Sequence, residues 1–105
     1  MKIVPLPGYE KQIRRLLSSG ERLAMEMDIA AQPLQYPVMP GTGGCRKARW
    51  GRGSQGKSGG VRAVFYYFVK GETVYMIDVY PKNEKENLTD AEKNQLRRLA
   101  KAIGH

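Results

Sequence analysis

Apolar and polar positions alternate with different periods along this 105-residue chain, and each change of period marks an element. Ile3 to Leu6 reads as a short strand, confined to a sheet edge by Pro5 and Pro7. Tyr9, Ile13, Leu16 and Leu17 then recur at helical spacing. Ser18 with Glu21 forms a capping-box signature that starts a second helix. Its expected buried stripe is Leu23, Met27, Ala30 and Ala31, and Pro33 stops it. Together these predict an antiparallel helical pair with a very short connection. Gln32 to Gly44 holds three prolines and three glycines and reads as a loop. Cys45 to Trp50 predicts a strand with Lys47 and Arg49 on one face and Ala48 and Trp50 on the other. A glycine-rich polar connection spans residues 51–60. Val61 to Val69, dense in β-branched and aromatic residues, is the strongest strand. Lys70-Gly71-Glu72 turns it into a return strand over Thr73 to Tyr80, making a hairpin. Thr89 with Glu92 caps a last helix with an apolar stripe at Leu96, Leu99, Ala100 and Ile103, closed by Gly104. The order β-α-α-β-β-β-α predicts one α+β domain over residues 1–105, with a mostly antiparallel sheet.

Composition changes this picture in one respect. Hydrophobic residues at 41 % and charged residues at 27 % are ordinary, but a net charge of +8 is not. The charge is concentrated. Arg46, Lys47, Arg49, Arg52, Lys57, Arg62 and Lys70 crowd around glycines and aromatics, and residues 41–68 contain no acid. Cations at that density repel one another, so they stay together where an anion sits between them. A polyphosphate, RNA first, is the expected partner. No long apolar run or basic amphipathic anchor points to a membrane. Cys45 is the single cysteine, so no internal disulfide forms and a reducing compartment is expected. Neighbouring cations favour a thiolate, but the sole histidine is the terminal His105, so Cys45 is expected to pack rather than react. The N-terminal apolar run is too short for a signal peptide, which predicts a cytoplasmic protein.

Residues 51–58, GRGSQGKS, match the phosphate-loop pattern of nucleotide hydrolases letter for letter. That loop needs a helix beginning at its lysine, so that amides and dipole face the phosphates. Here Gly59, Gly60 and a strand come next, so a nucleotide-hydrolase site is excluded, although Lys57 and the glycine amides still offer an anion nest.

Three separated blocks, GTGGCRKARW, GKSGGVRAVFYYF and VYPKNEKENLT, resemble the HigB-like branch of the RelE/ParE toxin superfamily over residues 33–103. The resemblance implies a RelE-like fold, with two N-terminal helices packed on the sheet and a C-terminal helix. It implies the toxin of a type II toxin–antitoxin module: a ribosome-dependent endoribonuclease that cuts mRNA without a metal or other cofactor. It also implies a cognate antitoxin of helix-turn-helix, HigA-like type, with operator DNA reached only through that complex.

The residues suit this chemistry. RNA breaks when a ribose 2′-hydroxyl attacks the adjacent phosphate in line and expels the 5′-oxygen, so an enzyme must align the two, steady the added charge and move protons. Arg62, opening the best strand after two glycines, is the first candidate to clamp the phosphate, since arginine meets two phosphate oxygens at once. The family pattern also places a catalytic arginine there. Lys47 and Arg49 stand about 6–7 Å apart on one strand face and match the paired basic positions of the RelE pattern. Lys47 is the candidate proton carrier, because crowded cations ease a lysine's loss of its proton, and Arg49 a phosphate ligand. Tyr80 is expected to stack on a base or orient the attacking hydroxyl. Lys57, Lys82, Lys85, Arg46 and Arg52 are candidate RNA contacts, Lys82 standing where relatives carry arginine or histidine. Glu84 is a possible base or the ion-pair partner of Lys85. Several superfamily members use histidine for proton transfer; with only His105 present, Lys47 and Tyr80 carry that work. Two other readings compete: a non-catalytic ParE-like poison that binds DNA gyrase, and a non-toxic RNA-binding module.

Overall fold

The computed structural model describes residues 1–51, 60–85 and 87–104. Strand β1 (Lys2–Pro5) leads into helix α1 (Pro7–Leu16) and helix α2 (Ser19–Ala31), and then a 3₁₀ turn (Pro33–Gln35). Strands β2 (Arg46–Trp50), β3 (Val61–Phe68) and β4 (Thr73–Pro81) come next, and helix α3 (Asp90–Ile103) closes the chain. The sheet order is β1-β4-β3-β2. β2–β3 and β3–β4 are antiparallel, while β1 lies parallel to β4 at the edge, where a proline such as Pro5 is tolerated.

Side chains alternate along β3 and sort the molecule into three layers. Val61, Ala63 and Phe65 face a core with Tyr9, Ile13 and Leu16 of α1 and Met25 and Ile29 of α2. Val64 faces the opposite way, into a smaller core with Cys45, Tyr80, and Leu96 and Ala100 of α3. The sheet is therefore covered by the helical pair on one face and by α3 on the other. Both capping boxes form: Ser18 and Glu21 cap α2, and Thr89 and Glu92 cap α3, each by reciprocal bonds. Gly104 ends α3 at φ −73°, in ordinary right-handed geometry rather than as a left-handed stop.

The expected stripe of α2 is corrected. Leu23 and Met27 are 58 % and 62 % exposed, and the helix buries Met25 and Ile29 instead. The reason is polar. On the side turned toward α1, Glu26 accepts a 2.7 Å hydrogen bond from the Tyr9 hydroxyl, and Arg22 pairs with Glu10 at 2.6 Å and Glu26 at 2.9 Å. The Tyr9–Glu26 and Arg22–Glu10 bonds join helices linked by only Leu17 and Ser18, and they favour the rotation of α2 that buries Met25 and Ile29.

Candidate functional site

Antiparallel pairing aligns residues across strands, and two rows on the α3 face gather the chemistry. Arg49 pairs with Arg62, and Arg62 with Tyr80. One step along, Lys47 pairs with Val64, and Val64 with Asp78. The intervening Ala48, Ala63 and Val79 all turn to the other core, so Lys47, Arg49, Arg62 and Tyr80 share one face of the sheet. Directly opposed residues lie about 4.5–5.5 Å apart at Cβ, and like charges so placed repel. The register thus sets two guanidinium-bearing residues side by side at the end of the sheet.

Gly60 makes the approach possible. A Cβ there would stand 1.9 Å from the Trp50 carbonyl oxygen, so no other residue fits without moving the strand. Its own carbonyl accepts the Lys82 amide at 3.1 Å, which stitches the starts and ends of β2, β3 and β4 together beside Arg62. Arg62 itself is buried, and its Nη1 donates to the Val61 carbonyl at 3.2 Å. The glycine-rich connection runs into strand β3, not into the helix a phosphate loop requires.

Tyr80 is 4 % exposed, and its hydroxyl has no hydrogen-bond partner among the described residues. Burial raises its pKa, outweighing the pull of Lys85 and Arg62, so at neutral pH it is a protonated phenol able to donate. The Lys85 ammonium lies 4.7 Å from its ring centroid and bonds Glu92 of α3 at 2.5 Å. Burial works against the Lys85 charge, but the Glu92 bond, with Asp78 and Tyr80, more than offsets it and holds the lysine above its ordinary pKa. The bond from Lys85, then the Thr89 amide, lowers Glu92 correspondingly. The expected Glu84–Lys85 pair is thus replaced by Glu92–Lys85, and Lys85 acts first as a clamp on Tyr80.

Other candidates divide. Lys82 lies at the same end of the sheet through its amide bond to Gly60. Arg46 shares the Ala48 face of β2, and its guanidinium donates to the Tyr36 carbonyl at 2.6 Å, so it is not brought to this group. Arg52 and Lys57 lie outside the described residues. Cys45 is fully buried and its thiol is pushed up to about 11 by that burial, which makes it a packing residue. Tyr66 packs into the α3 core and Tyr67 into the other.

Asp78 was not singled out by sequence. A β-bulge between Val64 and Phe65 places two β4 residues, Ile77 and Asp78, against the α3 face, where both line a cavity of about 270 Å³. Burial raises its carboxyl above the ordinary range despite a 2.8 Å bond from the Val79 amide. The available signal was one acid inside the otherwise apolar run TVYMIDVYP. Among the described residues no cluster of histidine, cysteine and acids could hold a metal, and no helix is long and apolar enough to cross a membrane.

Fold and site together define a small basic α+β protein with cations gathered at one end of a helix-covered sheet. A family profile described as the RelE toxin of the RelE/RelB toxin–antitoxin system matches residues 40–105, more than half of the chain. The chain belongs to that toxin family. Its fold is similar to a chain of the intact E. coli RelBE toxin–antitoxin complex, with TM-score 0.58 and 21 % identity over 74 % of this chain and 92 % of that one. An E. coli RelE double mutant in the free state is similar at TM-score 0.59 and 18 % identity, covering 81 % of this chain and 86 % of that one. The isolated E. coli RelE toxin is similar at TM-score 0.55 and 19 % identity, covering 93 % and 97 %.

Proposed function

We propose that this toxin is a metal-independent endoribonuclease that cuts mRNA on the ribosome. The observation that carries the reading is the cross-strand row Arg49–Arg62–Tyr80 with Lys47 beside it on the same face. A scissile phosphate lying over the row meets two guanidinium groups as its charge rises in the transition state. Lys47 takes the proton of the 2′-hydroxyl. The 2′-oxygen bonds to phosphorus, the bond to the 5′-oxygen breaks, and Tyr80 donates a proton to that leaving oxygen. The products are a 2′,3′-cyclic phosphate and a 5′-hydroxyl. At neutral pH the phenol carries its proton and so can act only as a donor, and the rise that burial causes makes it a weak one, consistent with a slow enzyme. The message is positioned by the ribosome, which compensates for the lack of a catalytic histidine.

The same reading places the chain in the HigB-like branch, in the cytoplasm, held inactive by a cognate antitoxin. A HigA-like helix-turn-helix antitoxin suits the three sequence blocks, and operator DNA is then met only through the complex. The test is Arg62→Ala, expressed without antitoxin and read by growth and by mapping the 5′ ends of cellular mRNA. The variant is expected to fold, to leave growth unaffected and to produce no cuts, while the parent cuts within codons. Growth arrest at full strength by the variant would overturn the assigned site.

A further inference from the structure

Beside the row, along the outer edge of β2, runs a groove of about 460 Å³. Pro37, Val38, Met39 and Pro40 form one wall, and Lys47 and Arg49 form the other. The apolar wall is fixed. The Lys47 amide donates to the Pro37 carbonyl at 3.1 Å and the Met39 amide to the Cys45 carbonyl at 2.8 Å. The Thr42 hydroxyl holds the Met39 carbonyl at 2.7 Å, and the prolines restrict what remains. Yet Val38 in this rigid wall is 47 % exposed. A fixed apolar surface facing two cations suits a ligand that is flat and apolar on its faces and anionic at one end. A nucleotide has that chemistry: single strands are held by bases stacked on aromatic side chains, here Tyr36 in the same lining, with backbone phosphate on cations. The volume falls in the range of about 300–1,000 Å³ typical of small-ligand sites.

We propose that this groove is a subsite of single-stranded RNA that takes the base of a nucleotide adjoining the cleaved bond, with Arg49 on its phosphate. The proposal rests on the nuclease reading, because it extends the same strand of RNA from the row to the sheet edge. Val38 and Met39 then help to decide which base is accepted beside the cut.

Two measurements test it. The first titrates the full-length protein with an RNA tetranucleotide whose riboses carry no 2′-hydroxyl, which cannot be cut. Amide resonances of Val38, Met39, Lys47 and Arg49 are expected to shift; shifts confined to Gly60–Arg62 and Tyr80, or no shifts, overturn the subsite. The second uses Val38→Glu, an exposed substitution that sets an anion in the groove, with Val38→Thr as the conservative control. Val38→Glu is expected to bind the tetranucleotide about tenfold more weakly, the scale of one lost stacked base, and to change the base preferred beside the cut. Val38→Thr is expected to restore both. Unchanged affinity and an unchanged cut pattern in Val38→Glu would sink the subsite even if Arg62→Ala is inactive. Groove binding together with a fully toxic Arg62→Ala would instead sink the catalytic assignment and leave the groove standing.

Discussion

The two faces of the sheet are built on opposite principles. The face under α1 and α2 carries a continuous apolar core reaching from Tyr9 to Val79, and its polar groups satisfy one another. The Tyr9–Glu26–Arg22–Glu10 chain leaves no charge in search of a partner. The face under α3 is only half a core. Cys45, Val64, Leu96 and Ala100 pack as expected, but the same surface runs on into the buried Arg62 and Tyr80 and the half-buried Asp78, groups that cost free energy to take out of water. One face supplies the stability that lets the other keep unfavourable groups in place, a division expected where strained or charged sites must be held by their surroundings.

The largest effect should come from damaging the stable face. Phe65 is fully buried there and meets Tyr36 edge-on at 5.8 Å between ring centroids. Phe65→Ala is expected to cost about 3–5 kcal/mol, a large share of the stability of so small a domain. Urea unfolding would read it, and a loss below about 1 kcal/mol would mean that the helical face is not the main source of stability. Glu92→Ala should cost less, about 1 kcal/mol for the lost half of a capping box. Because it also releases Lys85 from Tyr80, its toxicity should fall more than that stability loss explains. A toxicity change tracking stability alone would remove Lys85 from the site.

The contrast between the faces extends to how far each is legible in the sequence. The order of elements, both capping boxes and the hairpin are readable because each rests on local chemistry: a hydroxyl three residues before a glutamate, or a β-branched run ended by Gly71. The pairing of Lys47 with Arg49 is readable because strands have a period of two. The face of α2 is not. Leu23 with Met27 and Met25 with Ile29 are equally apolar choices, and the partners Glu10 and Tyr9, far enough away in sequence to be invisible to periodicity, favour the face that turns Met25 and Ile29 inward. Asp78 shares the face of Tyr80 two residues on, but an extra residue, Ile77, breaks the alternation that runs up β4 from Thr73, and that bulge is not visible in the sequence. Glu92 is readable as a cap, but nothing local shows that its other oxygen reaches Lys85.

Acid separates the faces by sign. Glu10 is held down to about 2, against an ordinary 4.5, by hydrogen bonds first from Arg22 and then from Arg14. Its folded pKa lies below its unfolded value, so its contribution is full above pH 4.5 and is lost as pH falls toward 2. Asp78 is the reverse. Burial raises its folded pKa above the ordinary 3.8, so it favours the folded state most at pH below that value and less as pH rises through the raised one. Asp78→Asn keeps an oxygen for the Val79 amide and removes the charge. Its thermal midpoint is therefore expected to exceed the parent's at pH 7, with the gain shrinking toward about pH 3. A variant less stable than the parent at pH 7 would show that Lys85 more than compensates the buried charge.

The smallest stability change belongs to Tyr80→Phe, and it discriminates most sharply between the faces. On the helical face, removing the Tyr9 hydroxyl would leave Glu26 without its 2.7 Å donor. On the α3 face, the Tyr80 hydroxyl has no partner among the described residues, so its removal breaks no hydrogen bond among them. Tyr80→Phe should unfold within about 0.5 kcal/mol of the parent, or slightly later. If the phenol donates to the leaving 5′-oxygen, mRNA cutting should nevertheless drop by about 10²-fold or more, while binding of an uncleavable RNA is unchanged because the ring and the Lys85 contact remain. Equal cutting by the two proteins would reduce Tyr80 to packing and leave Lys47, Arg49 and Arg62 to act without it. A large loss of stability would show instead that the hydroxyl is satisfied in solution and belongs to the architecture rather than to the reaction.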